Sequence, residues 1–347
     1  MRSIHFHGSR IVKTGIAIFL TGVICDWFGW PPVFAVITAI VTIEPTVSDS
    51  IKKGIVRFPA SAIGSAYAVF FISLFGNSPI TYTLAAVFTI LTCYKLKLHA
   101  GLLVATLTSV AMVEVIHSNY LIAFFIRLGT TTVGLTVSTL VNMIVFRPDY
   151  RQDIAKNIQT IGARAGSILE HTFRTVLFDA AADRKADGIP IHQLTQDIRK
   201  TEVLLRYQRD ESSLHPLIGG DKDELLLAER QLLYLHNLDY HLGNLLQVPI
   251  RSLAWTEAER AVIMDAVAAL ADDLQHAAEY DAERHNAQLK AITDLFWEDN
   301  EELTKHNYIH PTKFPPELII LYELVTIYDL VDRYYNPESP AGSVQPG

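Results

Sequence analysis

The amino-terminal part of the chain is a series of long apolar runs separated by short polar turns. Six apolar segments each predict a helix, and they cover residues 11–30, 32–44, 55–75, 80–94, 98–116 and 120–146. Several are shorter than the roughly 20 residues that a helix needs to cross a bilayer. The second is the shortest, and Pro45 ends it because proline lacks the amide hydrogen that a helix interior requires. Such a short helix is tolerated at membrane depth only where its loose end faces protein or water.

Beyond the sixth segment, apolar residues recur at steps of three and four, which is typical of amphipathic helices. The cleanest stripe consists of Leu225, Ala228, Leu232, Leu235, Leu238, Leu242 and Leu245. Thr256 and Glu259 have the spacing of a capping box, and Pro316 marks the start of a last helix that ends near Tyr335. Long helices with short polar connections favour an antiparallel bundle. Residues 336–347 are rich in Pro, Gly and Ser, which predicts a disordered tail.

The charges divide the chain between the same two parts. The net charge of −8 is made up of +5 over residues 1–146 and −13 over residues 147–347. This division predicts a membrane domain over residues 1–146, joined to an acidic soluble domain over residues 147–335. The predicted fold class is therefore an all-α membrane protein with six transmembrane helices and a cytoplasmic helical bundle. An acidic soluble part argues against nucleic acid as a partner.

The charges of the loops predict the orientation in the lipid bilayer. Basic residues lie near the start of the first segment, between the second and third, between the fourth and fifth, and after the sixth. The intervening turns, at residues 30–32, 76–79 and 117–119, contain no Lys or Arg. The positive-inside rule then places the amino and carboxyl termini in the cytoplasm. The expected location is the plasma membrane, which the chain crosses several times.

One pattern occurs twice, with an offset of seventy positions. Arg57-Phe-Pro-Ala-Ser-Ala-Ile-Gly64 matches Arg127-Leu-Gly-Thr-Thr-Thr-Val-Gly134, and residues 33–44 overlay residues 103–114 without a gap. Each repeat contains three segments, which is an odd number. The second repeat is therefore predicted to be inverted relative to the first, as in many secondary transporters.

Arg57 and Arg127 are the first candidate residues for substrate binding and transport. A charge inside a membrane span is costly and usually faces the interior of the helix bundle. The five donors of a guanidinium group form a fixed fork that suits a carboxylate. The alternative is that each side chain snorkels to its own interface, because both residues lie about two turns from a loop.

Glu44, Thr46 and Glu114 complete the predicted transport site. A carboxylate that is buried alone can take up a proton near neutral pH, whereas one that is paired with arginine stays charged. Glu44 and Glu114 are therefore candidate proton carriers or salt-bridge partners of the arginines. Thr46 lies at the break after the second segment, which would form part of the site or gate. The alternative for Glu44 is a carboxylate at a helix end in solvent.

Other polar residues carry weaker signals. Lys13, near the start of the first segment, is assigned to topology rather than to the site. Asp272, Asp273 and His276 have a spacing compatible with metal ligands, but no set of four has zinc spacing, and they are predicted to be solvated surface residues. No phosphate-binding glycine loop, nucleophile elbow or catalytic triad pattern is found. The sequence therefore predicts no enzyme, no metal and no cofactor.

A resemblance to a known family adds to these inferences. The stretch Ile43-Glu-Pro-Thr-Val-Ser-Asp-Ser50, followed by Lys52-Lys-Gly54, Arg57 and Gly64, resembles the signature of the aromatic acid exporter family of bacterial membrane proteins. That family is similar to the fusaric-acid-resistance-like superfamily, to which plant aluminium-activated malate transporters are also related. The resemblance covers essentially the whole chain. The family commonly has Gln where Glu44 stands and Gly where Pro59 stands.

The resemblance implies a six-span amino-terminal half, a helical cytoplasmic domain and efflux of aromatic carboxylates. Through the malate-transporting relatives it implies a homodimer with a basic path for anions. Residues and resemblance together predict a secondary transporter that exports small organic acid anions, and the expected substrate is an aromatic carboxylate. Two alternatives stay open, an anion channel and a membrane-anchored interaction or regulatory protein. The repeated arginines argue against the second, because an anchor has no need of buried charge.

Overall fold

The chain folds into helices that form two compact units. The computed structural model describes residues 3–115, 119–145, 149–178, 184–214, 220–248, 253–276, 280–305 and 315–336. All regular secondary structure in these ranges is helical, which confirms the predicted all-α class. The first unit comprises Met1–Asp149 together with Tyr207–Pro216, and the second comprises Tyr150–Arg206 together with Leu217–Gly347. The division at residue 146 into a transport domain and a cytoplasmic domain stays a prediction.

Six α-helices of the first unit lie on the six predicted apolar segments. They are α1 (Ser3–Trp27), α2 (Val33–Thr42), α3 (Val47–Phe75), α4 (Pro79–Lys95), α5 (Leu102–Val115) and α6 (Tyr120–Ile144). A single 3₁₀ turn, His99–Gly101, precedes α5. Helix α2 ends at Thr42, just before Pro45, as predicted. Helix α3 begins eight residues earlier than residue 55, because the Thr46 side chain caps its amino end by accepting a hydrogen bond from the Asp49 amide at 3.0 Å.

Two helices among the described residues are long and apolar enough to cross a membrane, namely α3 and α6. Helix α2 and the 3₁₀ turn with α5 form shorter apolar helices. A helix rises about 1.5 Å per residue, so these shorter helices cannot cross about 30 Å of hydrocarbon alone. Six complete spans therefore stay a prediction.

Reciprocal contacts join the two predicted repeats. Helix α3 packs against α5, and α2 packs against α6. A Cβ atom on Gly64 would overlap the carbonyl oxygen of Ala105, and a Cβ atom on Gly134 would overlap the carbonyl oxygen of Ala35. Gly64 and Gly134 are equivalent under the seventy-residue offset, and so are Ala35 and Ala105. The absence of a side chain on each glycine is what lets the two helix pairs approach so closely.

The second unit also consists of helices. They are α7 (Arg151–Phe178), α8 (Arg184–Leu214, of which the part up to Arg206 belongs to this unit), α9 (Gly220–Gln247), α10 (Glu257–Gln275), α11 (Ala282–Lys305) and α12 (Pro316–Tyr335). Helix α7 packs against α9 and α10, and α12 packs against α9 and α11. The predicted leucine stripe supplies part of the core, because Leu232, Leu235, Leu238, Leu242 and Leu245 are buried. The antiparallel cytoplasmic bundle stays a prediction.

Two local predictions in this unit are confirmed. The Thr256 hydroxyl accepts a hydrogen bond from the Glu259 amide, and the Glu259 carboxylate accepts one from the Thr256 amide, which completes the capping box. The last helix begins at Pro316 and ends at Tyr335. The predicted disordered tail, residues 336–347, lies outside the described residues beyond Asn336.

Candidate functional site

Arg127 lies on α6 with 3% of its surface exposed. One terminal nitrogen donates a hydrogen bond to the Thr108 hydroxyl on α5. The guanidinium carbon lies 4.4 Å from the centre of the Phe34 ring, which is a favourable cation–π distance. The Nε and Nη1 atoms have no hydrogen-bond partner among the residues that the structure describes. Arg127 thus offers two free donors inside the protein.

A small apolar cavity has Arg127 in its lining. Its volume is about 100 Å³, and it is lined by Pro31, Phe34, Met112, Ala123, Ile126, Arg127 and Thr130. Most of these side chains are hydrocarbon or aromatic, so the guanidinium is the charged group of the lining. An apolar cavity with one oriented polar group is a common form of small-molecule site.

Arg57, the equivalent residue in the first repeat, has a different environment. It lies on α3 with 6% of its surface exposed, and its Nη2 atom lies 2.7 Å from Oε1 of Glu44. Its Nε atom donates a hydrogen bond to the Ala100 carbonyl at 3.3 Å. The charge of Arg57 is therefore balanced within the chain. Of the two repeated arginines, Arg127 is the one that the described ion pairs leave without a carboxylate.

Glu44 also pairs with a basic residue that lies one helical turn before Arg57. Its Oε2 atom lies 2.9 Å from Nζ of Lys53, and the same ammonium lies 3.7 Å from a carboxylate oxygen of Asp49. The structure thus brings Glu44 and Arg57 together in a chain of alternating charges. Whether these residues take part in transport stays a prediction.

Glu114, which matches Glu44 in the repeated pattern, makes a different contact. Its Oε2 atom accepts a hydrogen bond from the Tyr82 hydroxyl at 2.6 Å, and Glu114 is exposed. The contact of Arg127 on α5 is Thr108, which lies six residues before Glu114. The two repeats share their backbone packing but differ in charge pairing, because Glu44 lies in an interrupted segment and Glu114 lies near the end of a helix.

A polar network that the sequence did not predict holds the break between α2 and α3. Nδ2 of Asn142, on α6, lies 3.1 Å from the Glu44 carbonyl, 3.3 Å from the Thr46 carbonyl and 2.9 Å from the Ser50 hydroxyl. Oδ1 of Asn142 accepts a hydrogen bond from Nζ of Lys13 at 2.9 Å. Asn142 is fully buried, and Lys13 is 5% exposed.

The assignment of Lys13 to topology therefore missed a buried contact. The available signal was the position of Lys13 and Asn142 inside apolar runs, because polar groups in such runs are rarely placed there without partners. Thr46, which the sequence did select, is fully buried and caps α3 at the same break.

The candidate metal ligands of the second unit form ordinary contacts. Nδ1 of His276 lies 2.7 Å from Asp272. Asp273 is 1% exposed and pairs with Arg284 on α11, so the expectation of a solvated surface was wrong for this residue. It lies on the face of α10 that packs toward α11. No group of three His, Cys, Asp or Glu among the described residues is arranged to hold a metal ion.

The apolar helices of the first unit, with charged side chains buried between them, fit a helical membrane protein. Comparison with known proteins agrees, since residues 5–145 match the family described as aromatic acid exporter family member 1. The chain belongs to this family of transporters, as its resemblance in residues 43–64 implied.

Curated relatives cover nearly the whole chain. A UPF0421 protein of Oceanobacillus iheyensis is 45% identical over 331 residues, which are 95% of each chain. A UPF0421 protein of Bacillus cereus is 39% identical over 94% of this chain and 92% of its own length. One from Staphylococcus saprophyticus is 34% identical over 94% of this chain and 97% of its own. The similarity thus extends through both units.

Proposed function

We propose that the protein is a secondary transporter that exports small organic, mainly aromatic, carboxylate anions across the plasma membrane. The observation that carries this proposal is Arg127, which is 3% exposed, has two unpaired guanidinium donors and is part of the lining of an apolar cavity. A carboxylate that reached one of those donors would satisfy it, and the hydrocarbon part of the anion would lie against the apolar lining.

The physical reason is the cost of a buried charge. An isolated cation away from water is strongly unfavourable unless a partner compensates it. The Phe34 ring offsets part of this cost through a cation–π contact. A carboxylate could add a charge-assisted hydrogen bond to the guanidinium, which is roughly twice as strong as a hydrogen bond between neutral groups. The cavity thus favours a monocarboxylate with a compact apolar body, and one aromatic ring meets that description.

The repeats support a mechanism of alternating access. By the loop charges, Arg57 lies near the cytoplasmic side and Arg127 near the outer side of an inverted pair of repeats. The reciprocal contacts of Gly64 with Ala105 and of Gly134 with Ala35 are those that a twofold relation between repeats would produce. Rocking one repeat against the other would expose the two arginines in turn. The proposal also includes six membrane-spanning helices, amino and carboxyl termini in the cytoplasm, and assembly as a homodimer.

The test is efflux of benzoate from proteoliposomes that contain the full-length protein. Arg127→Gln should abolish efflux, and Arg127→Lys should retain only a small part of it, because lysine keeps the charge but loses the fork. The matched control is Lys95→Gln, which removes a positive charge from an exposed position of the same unit. Efflux that is equal for Arg127→Gln and the unmodified protein would contradict the proposal.

The same assay separates the proposal from its alternatives. An anion channel would pass benzoate down its electrochemical gradient as a steady current that a proton gradient does not change. A membrane-anchored interaction protein would show no flux with any acid that is tested. The buried, unpaired guanidinium favours a transport function over an anchor, because an anchor gains nothing from such a costly group.

A further inference from the structure

The first unit contains one segment from far along the chain. Residues Tyr207–Pro216 belong to it, and they include the last residues of α8. Within this segment Glu211 is 1% exposed, and its Oε2 atom accepts a hydrogen bond from the Val47 amide at 3.1 Å. Val47 is the first residue of α3. A carboxylate of this segment therefore lies at the amino end of the longest helix of the unit.

Three features make this place suitable for an anion. The first amides of a helix have no partner within the helix, and the helix dipole favours negative charge there. Thr46 satisfies the Asp49 amide, which leaves the Val47 amide to an external acceptor. Lys13 is 5% exposed, and its ammonium attracts the Glu211 carboxylate.

Hydrogen bonds and an ion pair connect the amino end of α3 to the candidate site. Lys13 binds Asn142, and Asn142 contacts the carbonyl groups of Glu44 and Thr46. Glu44 in turn pairs with Arg57. The Glu211 carboxylate thus lies at the break between α2 and α3. Hydrogen bonds and an ion pair connect this break to the buried Lys13 and to Arg57.

We propose that Glu211 is an autoinhibitory ligand, which occupies a carboxylate-binding position at the inner end of the anion path. When the end of α8 withdraws, the carboxylate of the transported anion takes its place at the Val47 amide, where the positive charge of Lys13 also attracts it. This inference rests on the proposed function, and it adds regulation to it. Because residues 207–214 continue the same helix as the earlier part of α8, movement of that helix would open or close the inner end.

A neighbouring residue provides a matched control. Asp210 forms an ion pair with Lys52 at 3.2 Å, and 63% of the lysine side chain and 28% of the aspartate side chain are exposed. Exposed pairs contribute little to stability. Asp210→Asn therefore removes the same charge one residue away without vacating the buried position.

The transport arm compares benzoate efflux in proteoliposomes for the unmodified full-length protein and for the Glu211→Gln, Glu211→Ala and Asp210→Asn variants. Both Glu211 variants should raise the initial rate, by roughly tenfold if one hydrogen bond to a charged group holds the closed state. Asp210→Asn should leave the rate unchanged. Unchanged or lower rates in well-folded Glu211 variants would overturn the proposal, as would loss of folding in both, because that result would make Glu211 a structural residue.

The binding arm uses formate as the probe, and its melting measurement needs no transport. Formate should raise the melting temperature of detergent-solubilised Glu211→Ala protein with a saturating dose dependence, and it should slow efflux by the same variant. The unmodified protein and Asp210→Asn should show neither effect, because Glu211 fills the position. Equal responses in all three would overturn the inference. Since melting does not depend on flux, a failure of the proposed function would leave this arm interpretable.

Discussion

The hydroxyl groups of Ser61 and Thr131 lie 3.3 Å apart, although the residues are 70 positions apart in the chain. That separation equals the offset of the repeated pattern, so each residue contacts its own equivalent. Contact between equivalent residues is what a twofold axis between two repeats produces. The glycines that flank this pair, Gly64 and Gly134, make the reciprocal contacts with the backbone of the opposite repeat.

The first prediction concerns those glycines. Gly64→Ala and Gly134→Ala should each destabilise the protein by about 1–3 kcal/mol, because the added methyl group meets a backbone oxygen that can move only with its helix. Gly22→Ala is the control, since no atom lies within 4 Å of a Cβ built there. The measurement is the melting temperature of the detergent-solubilised protein. Equal melting temperatures for all three variants would show that the helices are not packed as described.

The second prediction concerns the pair of Glu44 and Arg57, whose side chains are only 13% and 8% exposed. Removing one partner leaves a poorly solvated charge on the other, so Arg57→Gln and Glu44→Gln should each lower the free energy of unfolding. The sum of these two losses should exceed the loss in the double variant, which has neither charge. The coupling free energy from the double-mutant cycle should be about 1–3 kcal/mol.

The exposed pair of Lys52 and Asp210 gives the comparison for that cycle. Its coupling should stay below about 1 kcal/mol, because solvent and salt screen exposed charges. A coupling for Glu44 and Arg57 that is as small as this one would mean that the pair does not form in solution.

The third prediction separates a helix cap at the candidate site from a cap elsewhere. Thr46→Ala and Thr256→Ala each remove a side-chain oxygen that accepts a hydrogen bond from a backbone amide at a helix start. Each should cost about 1 kcal/mol of stability. Only Thr46→Ala should also change benzoate efflux, because Thr46 lies at the break between α2 and α3. Equal efflux from both variants would argue against a role of this break in transport.

The fourth prediction concerns Asp239, in the second unit. Burial raises the pKa of its carboxyl group above the usual value of 3.8, although the Thr195 hydroxyl donates a hydrogen bond to it at 2.8 Å. A raised pKa in the folded state means that folding favours the protonated form. The group therefore contributes most to stability below pH 3.8, and that contribution is lost as the pH rises through the folded-state pKa.

Asp239→Asn removes this titration while it keeps the side-chain shape. We expect the variant to melt at a higher temperature than the unmodified protein at pH 7, and the gain should shrink as the pH falls toward the usual pKa. Melting curves across pH measure the difference. A gain that does not depend on pH would contradict ionisation of Asp239 as its cause.

Local patterns in the sequence located most of the helices. Each predicted segment of the first unit overlaps one of the helices α1 to α6, and the capping box at Thr256 and the bounds of α12 are confirmed. These features depend on residues within a few turns of one another, such as an apolar stripe, a cap or a proline. The start of α3 was missed because the polar residues around Lys52 and Lys53 hide a helix that Thr46 begins.

The candidate site was predicted in part. Arg57 and Arg127 were selected because charges inside apolar segments are conspicuous, and both prove to be buried. Their different environments could not be predicted, since the two patterns around them are nearly the same. The contact between Lys13 and Asn142 was missed because it joins residues 129 positions apart.

The helical class, the positions of the apolar helices and the repeated pattern could all be predicted from the sequence, because they follow from short-range periodicity and composition. Only the tertiary structure shows that Arg57 is paired with Glu44, whereas Arg127 has two unpaired donors and is part of the lining of an apolar cavity. It also placed Glu211 at the start of α3, across 164 positions of sequence. Such relationships arise only when packing removes side chains from water, since burial is what makes an unpaired charge costly and a partner necessary.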